Sequence, residues 1–329
     1  MKERKEEERV FMEVITIHHP YAPQQVTSED MVLCLGFFDG VHCGHQAVIQ
    51  AAKEEAIKRQ LPLAVMTFNR SPLIINRSLH PDKMNYLTQL PEKIRLLDKN
   101  GVDKVYVVDY TSAFCQLSPQ DFVDQYLVDL GAKVVVAGFD YTYGDKGTAN
   151  MEKLATYAKG RFQIIEVPAL NKGEKKIASQ TIRKQLLSGD LEAANEGLGY
   201  QYFFKGTVIN GFKRGRTLGY PTANIYTPAS TLMPEVGVYL VQCEWQHRLY
   251  WGMASIGHNI TFGDNNERTL EINLFDFNEE IYGEELTVFF YKYLRQEQKF
   301  ASIEAMIDQL AHDKAKCQAL AKNLEPYQK

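Results

Sequence analysis

No apolar stretch in the chain approaches the roughly 20 residues that a membrane-spanning helix requires. Even the run VVVAGF at 134–139 is short. Nor does a signal-peptide core follow the charged opening MKERKEEER, which cannot bury anything and reads as a solvated leader, with Met12 an alternative start. The chain is therefore expected in the cytoplasm, off the membrane. Cysteine is scarce: five residues (Cys34, Cys43, Cys115, Cys243, Cys317), scattered, with no CxxC pair. That excludes a disulfide framework and a cysteine-based zinc site, and leaves small packing residues. An excess of positive charge is missing too. With 37 Lys+Arg against 41 Asp+Glu and a net charge of -4, the sequence offers no footprint for nucleic acid. There is no internal repeat, no low-complexity tract and no GxxxxGK[ST], so solenoids and P-loops drop out. Small molecules remain the best class of partner, with self-association left open.

What is present is ample: 329 residues, 45% hydrophobic and 24% charged, suffice for two domains with separate cores. In the first half, apolar runs at 31–36, 63–68, 104–108, 132–139 and 162–167 alternate with helical patterns at 44–59, 91–100, 118–130 and 150–159. Val-rich runs without strict alternation suit strands covered on both faces, hence a parallel sheet with crossover helices. After about residue 200 the texture becomes alternating and aromatic, at 238–245, 248–254, 269–277 and 286–293, which predicts a small antiparallel barrel. Residues 186–198 read as one connecting helix and 301–324 as a terminal amphipathic helix.

Between the first apolar run and the first helical pattern stands GFFDGVHCGH, residues 36–45. In a doubly wound sheet, ligands sit beyond the carboxyl ends of the strands, and the next helix offers unpaired N–H groups and partial positive charge to an anion. Gly36, Gly40 and Gly44 would let the backbone approach a phosphate, and the His42 and His45 imidazoles can donate hydrogen bonds as charge moves onto a leaving pyrophosphate. A single histidine at a helix start is more often a cap or a packed side chain. Two of them in this pattern favour phosphate. Zinc would need a third ligand, and none stands at a suitable spacing.

Further on, GFKRGRTLGYPTANI (211–225) packs glycines and the cations Lys213, Arg214 and Arg216 ahead of Pro221-Thr222-Ala223-Asn224. Glycines permit a tight loop over phosphates, while the Thr222 hydroxyl and the Asn224 carbonyl suit Mg²⁺, a hard cation. A solvated basic hairpin is the common alternative for a KRGR run, but a PTAN block leading into a strand is not expected of one. In LEINLF, strand alternation puts Glu271 on the opposite face from Leu270 and Ile272.

These stretches resemble the prokaryotic bifunctional riboflavin kinase/FMN adenylyltransferase (FAD synthetase) family. The first half carries GxFDGxHxGH, LTQLPEKIRLL, GVDKVYVV, LSPQDFV, GFDYTYG and ASQTIRKQLLSGDLEAA; the second carries GTVINGFKRGRTLGYPTANI, GVYLV and LEINLFDFNEEIYGEELTVFF. The resemblance implies an α/β domain plus an all-β one. A Rossmann-like nucleotidyltransferase domain at 12–186 would transfer AMP from ATP to FMN, giving FAD and pyrophosphate. A riboflavin kinase-like barrel with a terminal helix at 187–329 would phosphorylate riboflavin, using ATP and Mg²⁺. Residue by residue, it implies that Gly36, Phe38, Asp39, Gly40, His42, Gly44 and His45 form the ATP phosphate and ribose site. Ser179 and Arg183 of IASQTIR would reach phosphates, where a planar guanidinium binds two oxygens at once, and Asp140 would contact flavin. Gly215, Arg216, Gly219 and Pro221 would hold the second ATP, Thr222 and Asn224 the Mg²⁺, and Glu271 would be the general base for the riboflavin 5′-hydroxyl.

Some positions depart from the family pattern. Arg70 and Ser71 of TFNRSP replace the Pro and His of TFxPHP, Ala178 and Gln180 replace Ser and Thr of ISSTxIR, Asn273 replaces the His of EVH, and Ser255 and Ile260 alter NIGxxPTF. Two narrower readings therefore stay open: one activity retained, with the adenylyl site the more affected, or a catalytically degraded flavin-binding regulator.

Overall fold

The structure is a computed structural model that describes residues 12–26, 28–76, 80–172, 175–211, 219–258 and 268–327. Its contacts divide the chain into two units: one holds residues up to Met84 together with Lys93–Ile177, the other Asn85–Glu92 together with residues from Ala178 onward.

The first unit is built on β1 (Glu13–Ile17), β2 (Met31–Leu35), β3 (Leu63–Phe68), β4 (Lys104–Val108), β5 (Ala132–Gly138) and β6 (Gln163–Val167). Between these strands run α1 (Cys43–Arg59), the short α2 (Leu73–Asn76), α3 (Leu90–Lys99), the short α4 (Ser112–Cys115), α5 (Pro119–Val123) and α6 (Met151–Ala158). All six strands are parallel, in the order β1-β4-β3-β2-β5-β6. Both β2 and β3 are buried along their whole length, as their unbroken apolar runs require in a sheet covered on two faces. The helix expected over 118–130 starts as foreseen, with the Ser118 hydroxyl capping Asp121 N at 3.1 Å, but ends at Val123 and continues as a wider π turn over Asp124–Val128. Strand order reverses between β2 and β5, so the loops that follow these two strands flank the topological switch point where α/β sheets bind ligands.

A short hairpin, β7 (Asn171–Lys172) with β8 (Lys175–Lys176), precedes the second unit. The connecting helix expected at 186–198 is α8 (Leu191–Leu198), and a separate helix that was not expected, α7 (Ser179–Leu187), precedes it. Gly189 at φ +79 turns the chain, and the Asp190 carboxylate starts the next helix by accepting from Ala193 N at 3.3 Å. The barrel follows: β9 (Phe203–Ile209), β10 (Ala223–Tyr226), β11 (Gly237–Trp245), β12 (Arg248–His258), β13 (Arg268–Leu274) and β14 (Glu285–Arg295), with α9 (Ile303–Ala321) after it. The strands close antiparallel in the order β10-β13-β12-β11-β14-β9, with Phe203 and Phe289 paired on one face of the curved sheet and Tyr239 and Phe290 on the other. Helix α9 docks by burying Asp313 and Cys317; Arg295 of β14 donates to the Asp313 carboxylate from Nε at 2.9 Å and from Nη2 at 2.7 Å. The α/β sheet and the small barrel with its terminal helix are thus both present.

Candidate functional site

The loop that leaves β2 folds tightly before α1 begins. Gly36 N donates to Met66 O at 3.2 Å, Val41 N closes a turn onto Phe38 O at 3.1 Å, and Phe38 (φ +54) and Val41 (φ +35) both take left-handed conformations that are rare for residues with a side chain. His42 is the N-cap of α1: its Nδ1 accepts from His45 N at 3.3 Å. The cap and the phosphate reading are therefore compatible in one residue. The His42 and His45 rings stack 3.7 Å apart with 15° between their planes, and Phe38 meets His45 edge-on at 5.2 Å.

The geometry gives several loop residues packing duties. Phe38, expected to touch nucleotide, is 1% exposed; its ring covers Gly36, where an added Cβ would lie 2.7 Å from Cζ. Gly36 thus makes room for Phe38 as well as for the turn. Asp39 is buried, close enough to a lysine from α3, Lys93, to strengthen that lysine's hold on its proton. Burial, the adjacent His42 ring and the Lys93 charge hold the His45 pKa well below the ordinary imidazole range, so His45 is neutral. Its Nδ1 is buried and, among the described residues, has no hydrogen-bond partner.

Beyond the carboxyl ends of β3 to β5 lies an aromatic cavity of about 430 Å³, lined among others by Phe68, Pro72, Tyr110, Phe114, Phe122 and Tyr143. The rings of Phe122 and Tyr143 stack at 5.2 Å. TFNRSP runs along its edge: Asn69 holds Asp109 and Tyr110 N, and the Ser71 hydroxyl accepts from Leu73 N at 3.3 Å to start α2. Asp140, in the turn after β5, pairs with Lys176 at 2.6 Å.

In the second unit, Thr222 and Asn224 lead into and along β10. The Thr222 hydroxyl donates to Glu271 Oε2 at 3.3 Å, and Asn224 stands directly opposite Glu271 in the β10/β13 register, with Ser255 opposite it on β12. Alternation holds as expected, with Leu270 and Ile272 buried and Glu271 half-buried on the other face. Asn273, on the same face as Glu271, donates to Pro221 O at 2.7 Å and fixes the start of the PTAN turn. Gly211 permits this packing, because a Cβ there would lie 2.2 Å from Asn224 Nδ2. Gly219 turns at φ +80. Gly215 and Arg216, with Lys213, Arg214 and Ile260, lie outside the described residues. Ser179 opens α7, and Arg183 on the same helix donates from Nε to Asn85 O at 3.0 Å. A cavity of about 740 Å³ runs past Asn224, Tyr226 and Arg268, and a smaller one of about 110 Å³ borders Thr222.

Lys93 lies beyond the residues that the sequence singled out. For Lys93 a signal existed: Lys93, Leu96 and Leu97 share the i, i+3, i+4 face that α3 buries. The cavity's walls come from motifs quoted above, TFNRSP, LSPQDFV and GFDYTYG, but only the fold brings Phe68 and Tyr143, 75 residues apart, to one cavity.

Residues 24–181 match the family model described as FAD synthetase, and residues 198–321 the one described as riboflavin kinase. The chain is 46% identical over 314 residues to a Listeria monocytogenes protein described as bifunctional riboflavin kinase/FMN adenylyltransferase, covering 95% of this chain and 100% of that one. It is 41% identical to a Bacillus subtilis protein of the same description, covering 92% and 96%. A Streptococcus pneumoniae crystal structure described as a macrolide-efflux protein superposes with a TM-score of 0.84 at 38% identity, covering 92% of this chain and 99% of that one. Among the described residues here, no helix is long and apolar enough to cross a membrane.

Proposed function

Because the chain belongs to the bifunctional riboflavin kinase/FMN adenylyltransferase family, we propose that each unit carries one of two consecutive ATP-dependent reactions. Riboflavin is phosphorylated to FMN in the barrel unit, and AMP passes from ATP to FMN in the sheet unit, yielding FAD and pyrophosphate. Flavins and ATP are its small-molecule partners. The observation that carries the reading is the partition of the machinery: the His42/His45 stack belongs to one unit, and Thr222, Asn224 and Glu271 belong to the other.

In AMP transfer, a phosphate oxygen of FMN attacks the α-phosphorus of ATP, and the bond to the bridging oxygen breaks as pyrophosphate leaves. His42 and the neutral His45 supply N–H donors, beside the positive end of the α1 dipole, where negative charge gathers on the leaving group. No nucleophilic side chain is required. The flat flavin ring suits the aromatic cavity, whose volume of about 430 Å³ falls in the range of small-molecule pockets, with Phe122 and Tyr143 offering stacked ring faces. Asp140 keeps the flavin role that its motif implies.

In phosphorylation, Glu271 accepts the proton of the riboflavin 5′-hydroxyl as that oxygen bonds the γ-phosphorus and ADP departs. The Thr222 hydroxyl orients the carboxylate until substrate arrives. A hydroxyl, an amide carbonyl and a carboxylate are the oxygen donors that Mg²⁺ prefers, so Thr222 and Asn224, next to Glu271, fit the metal. When bound it would neutralise phosphate charge; positioning of the hydroxyl and removal of its proton rest on the protein. We place the enzyme in the cytoplasm, in keeping with five free cysteines.

The test is a product time course with riboflavin, ATP and Mg²⁺, resolved by chromatography and repeated from FMN. FMN should rise and then give way to FAD, and FMN alone should yield FAD. A stop at FMN contradicts the adenylyl half, and absence of FMN contradicts the kinase half.

A further inference from the structure

Lys93 lies 3% exposed beneath the loop that presents the histidine stack. Its ammonium donates to Phe37 O, Thr67 Oγ1 and Phe68 O, each at 3.0 Å, and sits 4.5 Å from the centre of the Phe37 ring. All three of its protons are thereby engaged. Thr67 Oγ1 donates to the same Phe37 carbonyl at 2.9 Å, so one loop oxygen is held from β3 and α3 together. We propose that Lys93 is a positioning residue for AMP transfer: it clamps the 36–41 loop to the end of β3 and so fixes the His42/His45 stack. The inference rests on the adenylyl-transfer reading above and adds to it a residue that touches neither substrate.

Three features make a clamp necessary. Phe38 and Val41 hold left-handed backbone that persists only where the surroundings over-determine it. Phe38 in turn supports His45 edge-on, so a loop that relaxes moves the catalytic ring with it. A buried ammonium is also a demanding choice unless its charge is used; here it faces the Asp39 carboxylate from the loop and the His45 ring from α1, which it helps to keep neutral. Burial pulls the Lys93 pKa down to about 8, partly offset by Asp39. Above that pH the amine keeps two N–H groups for three acceptors, and the clamp slackens.

The experiment uses the full-length enzyme, after wild type has been shown to convert FMN to FAD, which tests the underlying reading separately. Lys93→Met keeps length and removes charge; the expected result is a fall in kcat for FAD formation of about 30-fold, with KM for FMN moved by less than about threefold. Riboflavin phosphorylation by the same preparation should stay within about twofold. Wild-type kcat/KM for AMP transfer should decline above about pH 8, and Lys93→Arg, always charged, should recover part of the rate and remain flat to about pH 9.5. Where Lys93→Met fails to fold, the arginine variant decides. FAD formation near the wild-type rate in Lys93→Met, or the same alkaline decline in wild type and Lys93→Arg, overturns the proposal.

Discussion

Gly44→Ala adds a single methyl group under the His42 ring. The new Cβ would lie 3.1 Å from His42 Cε1 and 3.2 Å from Nδ1, with Ile177 O 3.5 Å away. His42 has little room to retreat, since its ring already stacks on His45 at 3.7 Å and its Nδ1 caps the helix. A displacement of a few tenths of an ångström follows. Overpacking of this kind costs about 1–3 kcal/mol, and the better helix propensity of alanine returns about 1 kcal/mol. The net loss is about 0–2 kcal/mol, or a fall in Tm of at most about 8 °C. Catalysis is more sensitive: misplacement by about 1 Å costs about 100-fold, so a few tenths should cost about tenfold in FAD formation. The assay is FAD production from FMN, with riboflavin phosphorylation as internal control and a thermal melt alongside. FAD formation within about twofold of wild type would refute the link between ring position and rate. Equal loss in both reactions would refute the separation of the sites.

Two further predictions concern stability. Asp313 is 2% exposed and receives Arg295 and Gln309, so Asp313→Ala strands a guanidinium and should cost about 3 kcal/mol in urea denaturation of the barrel unit; a change under about 1 kcal/mol would show that α9 docks by other means. His45 has a lowered pKa when folded and an ordinary one, about 6.5, when unfolded, so below that pH the unfolded chain binds a proton that the folded chain does not. Stability is therefore lost as pH falls below about 6.5, by up to about 1.4 kcal/mol per pH unit, and His45→Phe should remove this component; identical acid slopes for variant and wild type would contradict it.

Most strands were legible because their environments are uniform, although β1 and β9 were not read. Runs such as Leu63–Phe68 are apolar without a break where both faces are covered, and Leu270, Glu271 and Ile272 alternate where only one is. The boundary of the connecting helix was less legible: Gly189 and the Asp190 cap start α8 at Leu191, and α7 over Ser179–Leu187 stands apart from the pattern at 186–198. Pairs set by local spacing, His42 with His45 and Thr222 with Asn224, could be named from the chain alone. Those that act through distant neighbours could not. Lys93 meets Phe37 and Thr67, 56 and 26 residues away, only once β2 and β3 are paired. Phe38 sits in the motif as a conspicuous aromatic, and only the fold shows that it is buried against His45.

The most direct test of the two-site account is the flavin product of two variants given riboflavin, ATP and Mg²⁺. His45→Ala should accumulate FMN at close to the wild-type rate and make no FAD. Glu271→Ala should leave riboflavin untouched yet convert added FMN to FAD. Loss of both activities in either variant would contradict the account.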